Sequence, residues 1–573
     1  MQITTPALPK KNERKYIDNQ LNIDSWDALE PVYKELQARQ LDSFEALQAW
    51  LSDQSELDSA VQEHAGWLYI RMTCDTQDKK ATGSYLHFVN EIQPKIAPFE
   101  DALNRKFNEC AFKNELPSSY NNYKISVANS IRLFREKNIP LQAELQVKEQ
   151  KYGEISGAMT VEMNGKTMTL QQASNFLKDP DRSKRMEAFR KIAGRRLQDR
   201  GILDNLFSSL VSLRNTIALN AGFGNYRDYK FVDLDRTDYT PEDCAKFHES
   251  VSGSVVPILD AMYRQRMEEM KLETLKPWDL DVDSLGRSDL KPFSSAADLI
   301  EKTVACFSDI DPYFGEVVGI LNGLHHLDLD SRIGKAPGGY NYPLYEIGVP
   351  FIFMNASGLL RDVVTMVHEG GHAIHSMLTR NLEFVALKEI PSEVAELASM
   401  SMELISMEHW HHFLPDAEEL RRAKREQLEN VIEGLPWIAA IDKFQHWIYL
   451  NPGHTPSERT AAWLSVISDF SSAEVDWKDD AETRSAWWQK QLHLFEVPFY
   501  YIEYGMAQLG AVAMWRNYKK NPAETISRYK RALSLGSTVT IPEVYREAGI
   551  SFDFSAAYIR ELMEFVKEEL AKL

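Results

Sequence analysis

"TMVHEGGHAIHSM" (residues 365–377) holds three of the chain's fourteen histidines within eight positions, with two adjacent glycines where a helix would favour neither. Leu360, Val363, Val364, Val367, Ile374 and Leu378 recur around it at helical spacing, which predicts an amphipathic helix starting near Ser357. On that helix His368 and His372 stand four residues apart, roughly 40° around the axis and about 6 Å along it, so both imidazoles can reach one ion. Glu369 then sits beside the ion without needing to bind it. A carboxylate so placed can take a proton from metal-bound water and later pass it to a leaving amine. The same five residues also fit a pair of core or surface histidines, so the reading turns on a third ligand.

A tetrahedral catalytic zinc takes three protein ligands and keeps its fourth place for water. His375 lies two turns from His368 and overshoots an ion held between the other two, so it reads as a hydrogen-bonding or cleft-lining residue. The metzincin pattern would require Gly at 375 and His at 378, where this chain has His375 and Leu378. "PSEVAELASMSMEL" (391–404) offers Glu393, Glu396 and Glu403 on a helix predicted to start at Pro391-Ser392. Glu396 and Glu403 share a face two turns apart, which suits one as ligand and the other as a hydrogen-bond partner to a ligand imidazole. Glu393 is expected to face solvent.

The rest of the 573-residue chain frames this site. Its net charge of -19, from 65 basic and 84 acidic residues, argues against nucleic acid or an anionic membrane as partner. The basic run "RKIAGRRLQDR" (190–200) reads as a solvated helix face. The N-terminal "MQITTPALPKKNERKY" has no apolar leader region, and no run of about 18 apolar residues occurs, so the expectation is a cytoplasmic protein with no membrane span. Cys74, Cys110, Cys244 and Cys306 stand far apart with no CxxC pair, which reads as reduced, buried thiols and gives no ground for a cysteine-built zinc site.

Helical periodicity dominates, as in "SFEALQAWLSDQSELDSAVQEHAGWLYIRM" (43–72), so the fold class is mainly α, without repeats. Asn164-Gly165 within "GAMTVEMNGKTMTL" (157–170) predicts a tight hairpin. "GKAPGGYNYPLYEIGVPFIFMN" (334–355) reads as a glycine-rich loop followed by a strand. Pro350 lacks a ladder N–H, which assigns that strand to a sheet edge, a docking rail for peptide near the histidine helix. "LKPWDLDVDSLGRSDLKPFSS" (275–295) reads as a surface crossing. The coarse division is an N-terminal helical lobe over 1–195 and a catalytic lobe over 196–573.

"HEGGH" with "VAELASMSMEL" following it and "GKAPGGY" preceding it closely resembles the oligoendopeptidase F and Pz-peptidase branch of the thimet oligopeptidase family of zinc metallopeptidases. "DRSKRMEAF", "AGFGNYRDY" and "PWDLD" are similar too, so the resemblance covers most of the chain from about residue 180. In that family the glutamate of the "AE-x-AS" segment completes the zinc site, which picks Glu396 beside His368 and His372. The family also carries a histidine ahead of a tyrosine-rich helix lining the cleft. "HLFEVPFYYIEYGMAQLGA" (493–511) is similar, with His493, then Pro498 suited to a helix's first turn, then Tyr500, Tyr501 and Tyr504, at a His-to-Tyr spacing that differs by about a residue. The match favours Tyr501 and Tyr504 as oxyanion donors and His493 as an electrostatic or orienting group. A buried aromatic cluster is the other reading of "FYYIEY".

The resemblance thus implies a two-lobed helical peptidase with a deep substrate cleft and a small edge β-sheet near the zinc helix, acting on short oligopeptides as an endopeptidase with Glu369 as base. The runner-up is a zinc exopeptidase. An aminopeptidase would show a G-x-M-E-N-like segment where this chain has "GVPFIFMN", and a carboxypeptidase would need a cation for the substrate's C-terminus. From another class, a non-catalytic helical peptide-binding protein would keep the metal site without the chemistry.

Overall fold

In the computed structural model the described residues are 8–573, apart from Asn12, Ile333 and Pro337. The first seven residues of the N-terminal segment and Pro337 of "GKAPGGY" therefore lie outside the described residues. The fold is mainly α-helical, as expected. Six helices position the residues of interest: α1 (Phe44–Cys74), α2 (Pro241–Ser254), α3 (Leu360–Thr379), α4 (Ser392–Ser406), α5 (Ala417–Leu450) and α6 (Ile502–Lys520). The described strands are β1 (Thr160–Met163), β2 (Lys166–Thr169), β3 (Leu327–Asp330), β4 (Tyr340–Tyr342) and β5 (Phe351–Ala356).

The chain forms two compact units, each assembled from separated stretches. The first takes the chain up to Glu136, Lys291–Lys424 and Ala507–Phe552; the second takes Lys137–Leu290, Arg425–Met506 and Asp553–Leu573. A single cut at 195/196 follows neither unit.

In the first unit, α1 starts at Ser43, whose side chain accepts the Ala46 N–H and so satisfies one of the helix's orphan donors. Its Trp50 is fully buried in a cluster with Tyr33, Leu36 and Leu47, and the indole N–H donates to the Leu36 carbonyl at 2.9 Å. The three-stranded sheet of this unit runs β3-β5-β4, with β3 parallel and β4 antiparallel to β5. The expected edge strand is thus the central one, and the assignment from Pro350 is corrected. Proline 350 precedes the first paired residue, Phe351, so its missing N–H costs the ladder nothing. Phe351, Ile352, Phe353 and Met354 are all buried, as a strand covered on both sides requires. Among the described residues β4 has a strand partner on one side only, which makes it an edge.

In the second unit β1 and β2 form the predicted hairpin, with Asn164 and Gly165 both at positive φ (51° and 72°), as a two-residue turn of this hand requires. The segment 275–295 is anchored, in contrast to the surface crossing expected. Asp279 is fully buried and paired with Arg185 at 2.8 Å and Arg182 at 2.7 Å, and Trp278 is buried beside it. Two stretches that carried the family resemblance, "DRSKRMEAF" and "PWDLD", are therefore joined by a buried ion pair that holds them in register.

Candidate metal centre

Asp362 organises the start of α3: its Oδ2 accepts the N–H of Ser357 at 2.7 Å and of Leu359 at 2.9 Å, while Gly358 takes a positive φ of 93° in the turn between them. The apolar face then buries Leu360, Val363, Val367 and Ile374. This leaves His368 and His372 on the other side, half-buried. The two glycines have distinct packing reasons. A Cβ on Gly371 would stand 2.6 Å from Ser399 Cα and 2.8 Å from the Ala398 carbonyl, so α3 and α4 touch backbone to backbone there. A Cβ on Gly370 would meet the rim of the Phe307 ring at 2.7 Å.

This close crossing carries Glu396 up to the histidines. Its Oε2 lies 3.4 Å from His368 Nε2 and 3.7 Å from His372 Nε2. The two imidazoles stand 4.9 Å apart, nearly perpendicular. A tetrahedral zinc with bonds of about 2.0–2.1 Å would set such ligand atoms roughly 3.4 Å apart, so His368, His372 and Glu396 fit a divalent metal. Each ligand is also held from behind. Glu403 Oε1 lies 2.7 Å from His368 Nδ1, Ser399 Oγ donates to Glu396 Oε2 at 3.0 Å, and the backbone of Ala395 hydrogen-bonds His372. Sequence reasoning had no signal for Ser399, whose role depends on the helix crossing.

The electrostatics follow from crowding carboxylates in a buried place. Burial works against a charged His368, but the Glu403 hydrogen bond and the charges of Glu396, Glu403 and Glu369 outweigh it and raise its pKa to about 10. His372 is pushed well below the usual value by burial and by His368. Glu369 is raised to about 7, mainly by burial, with His368 opposing and Glu396 and Glu403 adding to the rise. Its Oε2 is buried with no hydrogen-bond partner. His375 is buried too and held down at about 3 by burial and by His372, so it is a neutral packed ring. Glu393, expected in solvent, is only 3% exposed.

The glycine-rich loop reaches this centre through its backbone. A Cβ on Gly339 would lie 3.6 Å from Glu369 Oε1 and 3.4 Å from the Phe353 carbonyl, which puts the entry to β4 against the proposed base. Asn355 Nδ2 pins the loop by donating to the carbonyls of Ala336 at 2.8 Å and Gly338 at 3.0 Å. Lys335, its side chain shielded from solvent, pairs with Asp328 at 2.9 Å and donates to the Met354 carbonyl, another residue whose importance its sequence position did not reveal.

The later candidates cluster in the second unit. The His493 ring lies 4.8 Å from Tyr501, 5.7 Å from Tyr504 and 6.0 Å from Tyr500. Pro498 is not in the first turn of α6, which begins at Ile502, so Tyr500 and Tyr501 precede the helix and their expected helical spacing does not hold. The cause is Phe499, at a positive φ of 67°. Gln491, unnoticed in the sequence, organises the group. The Trp437 indole N–H, a donor only, bonds Gln491 Oε1 at 3.0 Å, which turns the Gln491 amide nitrogen toward His493 Nδ1 at 2.7 Å. Nδ1 must then accept, so the neutral ring carries its proton on Nε2 and is a donor there. Burial raises Tyr501 to about 12, against the hydrogen bonds of Trp437 and Gln491.

Comparison with known proteins gives matches over most of the chain. The profile of "Peptidase family M3" matches residues 175–564, and that of "Peptidase M3 N-terminal domain" matches residues 18–132. An oligoendopeptidase F homolog of Borreliella burgdorferi is 23% identical over 390 residues, 66% of this chain and 63% of that protein. Oligopeptidase PepF of Bacillus subtilis is 23% identical over 397 residues, 68% of this chain and 57% of that protein. These matches thus span less than two thirds of either relative's length. A solved structure described as Pz peptidase A with inhibitor 2 shares the fold with a TM-score of 0.91 at 24% identity, over 98% of this chain and 99% of that one. Oligoendopeptidase F from Enterococcus faecium follows at a TM-score of 0.62 and 16% identity, over 95% and 98% of the two chains.

Proposed function

The chain belongs to peptidase family M3, and from that membership we propose that it is a zinc-dependent endopeptidase hydrolysing short oligopeptides. One observation supports this above the others: Glu369, buried and with an unpartnered oxygen, stands beside a two-histidine, one-glutamate donor set whose spacing suits zinc. When bound, zinc supplies Lewis acidity toward the scissile carbonyl and acidifies water.

The chain's own residues do the remainder. Glu369 takes the proton of the attacking water on its carboxylate, whose Oε2 has no other hydrogen-bond partner, and hands it to the leaving nitrogen. Glu403 keeps a proton on His368 Nδ1, which leaves Nε2 as the ligand atom. The substrate backbone lies along β4, the edge strand that Gly339, beside Glu369, leads into. Main-chain pairing of this kind gives affinity with little demand on side-chain identity. To His493, Tyr501 and Tyr504 we assign donation to the oxyanion; the support is the family resemblance and the Nε2–H tautomer that Gln491 imposes.

Among the described residues no helix is long and apolar enough to cross a membrane. No disulfide joins any of the four cysteines, in keeping with action in the cytoplasm. The test is a peptide blocked at both ends, incubated with the purified chain and read by mass spectrometry. Internal cleavage that a chelator abolishes and zinc restores is the expected result. Removal of single terminal residues from unblocked peptides alone would favour the exopeptidase, and no cleavage of either kind would favour a binding protein.

A further inference from the structure

In the second unit, α2 and α5 each present two chemistry-bearing side chains one helical turn apart: Cys244 and His248 on α2, Asp442 and His446 on α5. Cys244 and Asp442 are fully buried, and the side chains of His248 and His446 are 6% and 13% exposed. Ligand-type atoms of Cys244, Asp442 and His446 all lie within 4.8 Å of one another. Both histidines face one oxygen of Asp442. His248 Nε2 makes a hydrogen bond of 2.8 Å to Asp442 Oδ2. His446 Nε2 stands 3.3 Å from the same oxygen and pairs with it, while Asp442 Oδ1 is buried without a hydrogen-bond partner.

A fully buried carboxylate oxygen with no hydrogen-bond partner, on a group that converges with an imidazole and a thiol, is the arrangement left when an ion belongs among them. A tetrahedral ion with bonds of about 2.0–2.1 Å sets its nitrogen and oxygen ligands roughly 3.3 Å apart. The Nε2-to-Oε2 separation of 3.4 Å in the peptidase centre has the same size. We infer that Cys244, Asp442 and His446 form a second metal site, for a divalent transition ion of zinc's class, with His248 as the positioning residue that orients Asp442.

The donor set selects the ion. Thiolate with imidazole suits zinc or cobalt and is foreign to calcium and magnesium. Binding replaces the Cys244 S–H bond with a sulfur–metal bond, the proton leaving to solvent, and His446 enters neutral. The two positive charges of the ion are then matched by one thiolate and one carboxylate, so the buried group is neutral overall. The site has a structural task within reach. The ring of His446 packs edge-on against Phe499 at 5.4 Å, and its neighbour Gln445 accepts the Phe499 N–H at 2.6 Å. Phe499 is the residue held at positive φ ahead of Tyr500 and Tyr501, so an ion fixing His446 stiffens the turn that presents those tyrosines. The sequence hid this site, because its ligands come from helices nearly two hundred positions apart and its one cysteine has no CxxC partner.

Metal content of the full chain bearing His368→Ala and His372→Ala, which empties the peptidase centre, is the first measurement. About one equivalent of zinc should remain after exhaustive dialysis. Reconstitution of the same protein with cobalt(II) alone is the second. It should show a sulfur-to-cobalt charge-transfer band in the near ultraviolet, which the cysteine-free peptidase centre cannot produce. The exposed group Asp309, His411 and His412 also lacks sulfur, so the band separates it as well. Cys244→Ala should lose both the band and the retained zinc. Should that variant not fold, the band in the parent protein decides alone. A metal-free protein, or retained metal without the band, overturns the inference.

Discussion

Glu403 Oε1 sits 2.7 Å from His368 Nδ1, across from the Nε2 that faces Glu396 on the same ring. The carboxylate fixes the tautomer that leaves Nε2 free to bind metal and makes that nitrogen a stronger donor. Glu403→Ala should therefore weaken zinc affinity by about 10- to 100-fold, measured by competition with a chromophoric chelator. Glu403→Gln, able to accept from Nδ1 without the charge, should fall between. Affinity unchanged in both variants would show that the ring is oriented by its packing alone.

Much of this centre was legible because it is local. Four-residue spacing on α3 and seven-residue spacing on α4 are properties of one helix each, and Asn164-Gly165 specifies its turn without outside help. What failed was non-local. Pro350 does not report that β5 will be flanked by β3 and β4, since that depends on residues 327–330 and 340–342 pairing across intervening chain. The burial of Glu393 and the roles of Ser399 and Lys335 arise from the approach of α4 and of the loop. Tyr500 and Tyr501 fall outside α6 because Phe499 adopts a left-handed conformation that a non-glycine residue rarely shows, and no pattern announced it.

Glu369→Gln keeps the volume of the side chain and removes the base. Bound zinc should be unchanged while kcat falls roughly 10²- to 10⁴-fold, the range that general base catalysis contributes. Zinc per chain is read by elemental analysis and turnover with an internally quenched peptide. Turnover near that of the parent would end the assignment of Glu369.

The two glycines of α3 should respond unequally to alanine. At Gly370 the obstacle is the rim of a side-chain ring, Phe307, which can turn, and the gain in helix propensity of about 1 kcal/mol partly offsets the strain. At Gly371 the obstacle is the backbone of Ser399 and Ala398, which can yield only if α3 and α4 separate. Gly371→Ala should therefore lose zinc as well as thermal stability, and Gly370→Ala should keep zinc. Full zinc occupancy in Gly371→Ala would contradict the close crossing.

If substrate runs along β4, Gly339→Val should obstruct it where the strand begins, since even a Cβ there lies in contact with Glu369 Oε1. The expected pattern is a rise in KM together with a loss of kcat, with zinc retained. Hydrogen exchange of the protein with a non-hydrolysed peptide analogue should show added protection at Tyr340–Tyr342 and none beyond the parent level at the already paired β5. Protection that leaves β4 unaffected would place the peptide elsewhere.

The donor role of the tyrosine cluster is tested through the hydrogen bonds that hold it. Tyr501→Phe and Tyr504→Phe each remove one hydroxyl and little volume, so an oxyanion donor should lose roughly 10²- to 10³-fold in kcat with KM nearly unchanged. Tyr501 starts from a different position, because its hydroxyl already engages Trp437 and Gln491. Removing it therefore also loosens Gln491, whose amide decides which nitrogen of His493 bears the proton. Gln491→Glu separates the two effects. A carboxylate beside Nδ1 accepts where the amide donated, so Nδ1 takes the proton and Nε2 becomes an acceptor in the neutral ring. If His493 acts as an Nε2 donor, Gln491→Glu should cost kcat in the alkaline range, where the ring is neutral, and recover as pH falls and both nitrogens become protonated. A pH profile parallel to that of the parent would show that the tautomer of His493 does not matter. Rising KM with kcat intact in all of these variants would make the cluster a binding surface and leave the oxyanion to the metal centre alone.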